Sequence, residues 1–218
     1  VDSFQSNISA GDTTTIASIA STYRTSKLHV QIEKDNEQFA VNELSVIHDG
    51  TEAYFSEYGD MTNTPDGFSA GFGTFHPYIS GDQLKIDFIP NVSVAMTSNV
   101  NVIAIANTEA TGISSVNLDV TNIISNVANI AASGSPTANT IASYHEPYET
   151  SYFIVSVEDL TNDNYEMFEV ITLNDDNGHE VFTEYGNIAS SSGLGTVGLT
   201  TADGGVQLTY TPIANAEI

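Results

Sequence analysis

The chain of 218 residues has no cysteine and no tryptophan, and only four of its residues are basic. Without cysteine, neither a disulfide nor a thiolate metal site can brace the fold, so a hydrophobic core has to hold it. Four Lys and Arg against 28 Asp and Glu give a formal net charge of -24 and a pI near 4.1. Phosphate backbones are bound by basic side chains that release counterions, so this balance excludes nucleic acid as a partner. Attraction to anionic membranes is not expected either. No apolar run approaches the roughly 20 residues of a membrane-spanning helix, so a soluble chain without membrane insertion is expected. The chain opens on Val1 with no basic region ahead of an apolar core, which reads as a processed or partial product without a visible signal peptide.

Catalytic patterns are equally scarce. The five histidines, His29, His48, His76, His145 and His179, stand in unlike contexts and form no HExxH spacing. No serine sits in a GxSxG setting. The acidic stretches 159–163 and 174–180 offer oxygen ligands of the kind calcium takes, but EF-hand spacing would need an acid at Leu173. They read as solvated turns. Glu57 and Glu184 recur in two EYG triplets, which is one structural position used twice and not a facing pair of the glycosidase kind. No enzyme activity, cofactor or metal is expected. Asn7-Ile8-Ser9 and Asn91-Val92-Ser93 are sequons, which makes Asn7 and Asn91 candidate glycosylation sites.

What the sequence does have is a pattern written twice. Residues 44–59, LSVIHDGTEAYFSEYG, return as residues 170–186, VITLNDDNGHEVFTEYG. Each copy reads as a β-hairpin with Asp49-Gly50 or Asn177-Gly178 in a two-residue type I′ turn. Upstream, Thr15-Ile16-Ala17-Ser18 and Leu28, Val30, Ile32 match Thr140-Ile141-Ala142-Ser143 and Phe153, Val155, Val157 at a spacing of 125. Downstream, Gly71-Phe72-Gly73-Thr74 and Leu84, Ile86, Phe88, Pro90 match Gly193-Leu194-Gly195-Thr196 and Val206, Leu208, Tyr210, Pro212 at a spacing of 122. The expected fold is all-β: two tandem homologous antiparallel β-sandwich domains, Ig-like or jelly-roll-like. Residues 1–14 form an extended arm, 15–106 the first domain, 107–138 an inter-repeat segment of strand or short helix, and 139–218 the second domain.

Register suggests how such domains could join. Residues 215–218 align with 99–102, so the first domain runs on through Ile103-Ala104-Ile105 where the second has no counterpart. A sandwich short of a strand presents unpaired backbone groups that template another chain. Candidate donors are the arm, through Val1, Phe4 and Ile8, and the strand around Val116, Leu118 and Val120.

The run from Tyr23-Arg24-Thr25-Ser26-Lys27 through LHVQI, SVIHDGTEAYFSEYG and GFGTFHPYISGDQLKIDFIPN resembles the repeated β-sandwich modules of phage virion structural proteins. These include tail-fibre-like surface proteins of phages infecting cyanobacteria and other aquatic bacteria. The resemblance covers residues 15–105 and, more weakly, 140–218, where the opening motif has become Tyr148-Glu149-Thr150-Ser151-Tyr152 and both basic residues are gone. It implies an extracellular, non-enzymatic module and transfers no functional residue. The expected role is a structural subunit that assembles with itself head to tail into a filament or phage appendage. The alternative is a module that binds cell-surface glycans through Tyr78, Phe75 and Tyr144.

Overall fold

The computed structural model describes residues 2–34, 38–63, 72–105, 114–118, 121–125, 128–131, 133–145, 150–175, 179–202, 205–214 and 218. The described elements are antiparallel strands, as the alternating patterns predict, and the chain divides into two units, 1–107 and 108–218.

In the first unit, one sheet has five strands in the order β1 (Asp2–Ile8), β8 (Met96–Ile105), β3 (Thr25–Lys34), β4 (Gln38–His48), β5 (Ala53–Thr62). The other has three, β2 (Thr14–Ala20), β7 (Gln83–Pro90), β6 (Gly73–Ser80). Period-two alternation sends Leu28, Val30 and Ile32 of β3 into the interior while His29 and Gln31 face water. The two inner faces meet in one core. Leu28, Val30, Leu44, Val46, Val100 and Val102 come from one sheet, and Ile16, Ile19, Leu84, Ile86, Phe88 and Phe75 from the other. This is sandwich packing.

The second unit contains β11 (Asn139–His145), β16 (Gly205–Pro212) and β15 (Gly195–Ala202) in one sheet, and β12 (Thr150–Asp159), β13 (Asn164–Asp175) and β14 (His179–Ala189) in another. Val157, Phe168 and Val170 face Leu208, Tyr210 and Leu194 across its core. A separate two-stranded sheet joins β9 (Ser114–Leu118) to β10 (Thr121–Ser125). The extended reading of the inter-repeat segment therefore holds over these residues, and the helical one does not.

Irregularities recur in the same places. The ladder of β2 slips between Thr15 and Ala17, and that of β11 between Thr140 and Ala142. The EYG triplets mark a second pair of bulges. Gly59 and Gly186 hold φ of 66° and 64°, where the registers of β4 with β5 and β13 with β14 shift. A glycine in the left-handed region is what such a bulge requires. The triplet thus bends a strand within its length.

The Asp49-Gly50 turn is longer than expected. β4 and β5 pair last at His48 and Ala53, leaving a four-residue loop in which Asp49 Oδ1 accepts from the Thr51 and Glu52 amides, each at 2.7 Å. The carboxylate closes the loop with an Asx-type turn in place of the positive φ at both positions that type I′ needs. The corresponding turn at 176–178 lies outside the described residues.

Candidate assembly edge

In the first unit β3 is paired on both sides. Its residues meet β4 on one side, and on the other they meet β8, with Leu28 opposite Val102, His29 opposite Asn101 and Val30 opposite Val100. Beyond β8 lies β1, with Phe4 opposite Val100 and Ile8 opposite Met96. Ile8 is fully in the core and Phe4 packs against it. The expected free arm is thus corrected over residues 2–8. Alternation of Phe4, Ser6 and Ile8 makes this segment an inward-facing strand of its own sandwich. As donors to another copy, Phe4 and Ile8 would first have to leave that core. Val1 lies outside the described residues.

The second unit begins the same arrangement and carries it one rung. Ile130 and Ile218 exchange backbone hydrogen bonds, the Ile218 amide donating to the Ile130 carbonyl at 2.8 Å and the Ile130 amide to the Ile218 carbonyl. At a spacing of 122 this is the rung of Ile8 with Met96, so Ile218 stands level with Met96 and not with Val102, which corrects the expected alignment of 215–218 with 99–102. Burial agrees, since Ala128, Asn129 and Ile130 run half-buried, exposed, buried, as Ser6, Asn7 and Ile8 do. β12 stands in the place of β3 and is hydrogen-bonded to β13. Leu28 and Val30 are fully buried, while Phe153 and Val155 at the matching positions are half-exposed.

Of the other candidate donors, Val116 and Leu118 lie on β9, opposite Ile123 and Thr121 of β10. Val120 lies outside the described residues. Asn7 and Asn91 are exposed, one on β1 and one in the bend after β7. The aromatic set proposed for glycans does not form a surface. Phe75 is a core residue against Phe88, with ring centroids 5.3 Å apart. Tyr144 is buried with its hydroxyl 2.9 Å from Thr172 Oγ1. Tyr78 stays half-exposed, stacked on His76.

Sequence reasoning missed an apolar patch on the outer face of the β12–β13–β14 sheet. Tyr152 lies opposite Ile171, and Leu173 opposite Val181, on neighbouring rungs. These four are between 44% and 59% exposed. The matching positions in the first unit are Lys27, Ser45, Ile47 and Tyr54, of which the first three are buried. The signal was available. Tyr152 with Phe153, and Val170 with Ile171, are apolar at adjacent positions, so these strands are apolar on both faces.

Charge is handled differently in the two units. Lys27 Nζ lies 3.2 Å from Glu43 and 5.3 Å above the Tyr58 ring. Where the lysine becomes Tyr152, its hydroxyl donates a short hydrogen bond to Glu169, the counterpart of Glu43. Glu166, which replaces Ala40, is buried and accepts from the Leu194 amide at 2.8 Å, Tyr210 Oη at 3.1 Å and Asn187 Nδ2 at 3.1 Å. Burial, and then the Glu166 charge, push the Tyr210 phenol well above its ordinary value. His48 is buried in the first unit, its Nε2 3.0 Å from the Tyr23 carbonyl. Burial lowers its pKa, a shift that the Tyr23 hydrogen bond opposes and the Arg24 charge reinforces.

Asp159 satisfies its own loop, accepting from the Thr161 and Asn162 amides. Among the described residues no three His, Asp or Glu side chains gather as a metal cluster would. The acidic turn around 176–178 falls outside them. Comparison with models of protein families finds no match, and comparison with curated proteins finds none either.

Proposed function

We propose that this chain is a non-enzymatic structural subunit of an extracellular fibre, a filament or a phage appendage, which joins copies of itself head to tail by β-strand exchange. The observation that carries the reading is the apolar patch on the outer face of the β12–β13–β14 sheet. Tyr152, Ile171, Leu173 and Val181, 44% to 59% exposed, form a contact surface of the kind that marks interaction sites. A contact between unlike surfaces that does not close on itself propagates as an open filament.

The net charge of -24 opposes association in dilute salt, and screening beyond about 10 Å at 0.1 M relieves it. Glycan recognition draws less support, because Phe75 and Tyr144 lie in the cores. Sedimentation velocity at rising concentration and moderate salt tests the proposal. Growing oligomers are expected, and a single monomeric species at every concentration rejects it.

A further inference from the structure

We infer that the apolar face of the β12–β13–β14 sheet pairs with the same face of a second copy across a two-fold axis. This rests on the self-assembly reading and specifies one contact of it. Like meets like, so the contact closes as a dimer and ties two head-to-tail strands side by side. Alternation on β13 decides which side chains the face carries. Phe168 and Val170 belong to the core, so Ile171 and Leu173 point outward. Register then sets Leu173 beside Val181, and Ile171 between Tyr152 and Thr183.

Charge and the rest of the surface choose the occupant. The chain carries 28 Asp and Glu, yet on these two rungs and the next the one carboxylate is Glu169, which is wholly buried and accepts from the Tyr152 hydroxyl. A charged partner finds nothing exposed to pair with there, and another copy of net charge -24 approaches with least repulsion where carboxylates are fewest, once salt screens the remainder. The other large apolar side chains exposed among the described residues, such as Met61 on β5, Ile89 on β7 and Ile103 on β8, stand on separate strands. What a second copy offers as a continuous apolar face, among the described residues, is therefore this face again. The matching face of the first unit does not serve, since it has Lys27, His29 and Ser45 in the places of Tyr152, Ile154 and Ile171. Three strands about 4.8 Å apart and three rungs about 7 Å apart make a patch of roughly 300 Å², against about 800 Å² per partner in a stable complex of standard size. One such contact is weak by itself, and repetition along paired strands makes it effective.

Ile171 lies on the middle strand at the centre of the patch, so a charge placed there tests whether like faces like. Ile171→Asp and Ile171→Lys are made in the full chain and followed by sedimentation equilibrium in moderate salt, each alone and the two mixed in equal amounts. Each alone is expected to dimerise at least tenfold more weakly than the unaltered chain, because like charges then face each other. The mixture is expected to recover at least tenfold over either, because opposite charges meet across the axis, while circular dichroism is unchanged throughout. Thr183→Asp, on the same rung at an exposed polar position, should weaken dimerisation likewise. Variants that dimerise as tightly as the unaltered chain overturn the contact. Loss in both variants without recovery in the mixture means that an unlike surface covers the patch, and overturns the two-fold pairing. If larger oligomers still grow in those samples, the head-to-tail reading survives either result. No association of the unaltered chain at any concentration overturns both.

Discussion

Glu166 is a carboxylate in a core where the other unit has alanine, and its replacement makes a quantitative test of the second unit's packing. It accepts from two groups that are themselves buried, the Leu194 amide and the Tyr210 hydroxyl, and from the exposed Asn187 amide. Glu166→Ala leaves the first two without an acceptor, at about 1–3 kcal/mol each, while Asn187 rehydrates. Adding the space vacated, the loss should be about 3–5 kcal/mol. Tyr210→Phe removes one charge-assisted bond and leaves Glu166 its other donors, for a loss of about 1–2 kcal/mol. The pair Ala and Phe is what the first unit carries at these positions, Ala40 and Phe88. The double variant should therefore be about 1–2 kcal/mol more stable than the sum of its parts, because no hydroxyl is stranded. Hydrogen exchange of peptides spanning 164–175 reads the second unit's opening free energy separately from the first. Additivity within about 0.3 kcal/mol, or a near-neutral Glu166→Ala, would refute the reasoning.

Other consequences concern turns, pH and the first strand. Cβ atoms built at Gly73 and Gly195 fall 2.5 Å from the Phe88 and Tyr210 rings and against the carbonyls of Ile89 and Thr211, so either Gly→Ala change should cost about 1–3 kcal/mol in urea unfolding. Because His48 binds its proton below the ordinary 6.5 when folded, the unfolded chain takes up the extra proton as pH drops below 6.5, and the first unit loses stability there. His48→Asn, which installs the residue of the second unit, Asn174, should remove that slope between pH 7 and 5.5 in a denaturation series. Ile8→Ala should destabilise the first unit by about 2–5 kcal/mol, since Ile8 lies in its core. A free arm would show no loss.

Strand positions were legible because period-two alternation fixes which residues face inward, and Leu28, Val30 and Ile32 or Leu84, Ile86 and Phe88 lie in the core as it requires. The role of EYG was not, since a bulge changes register without changing composition, and only the φ of Gly59 and Gly186 shows it. Residues 1–14 read as an arm because polar Ser3, Gln5 and Ser6 dilute the pattern, whereas an edge strand needs only Phe4 and Ile8 to be held. Phe75 and Tyr144 looked available for ligands because an aromatic in a strand gives no sign of its face without the register of its neighbours. The rung of Ile130 with Ile218 was not legible either, because it appears only when two segments 88 residues apart in the chain meet.

Electron microscopy of the full chain, in salt sufficient to screen its charge, tests self-assembly most directly. The account predicts fibres with an axial repeat of about two domains, absent from a Val116→Asp, Leu118→Asp double variant whose circular dichroism is unchanged. Discrete particles of one size in the unaltered chain would contradict it.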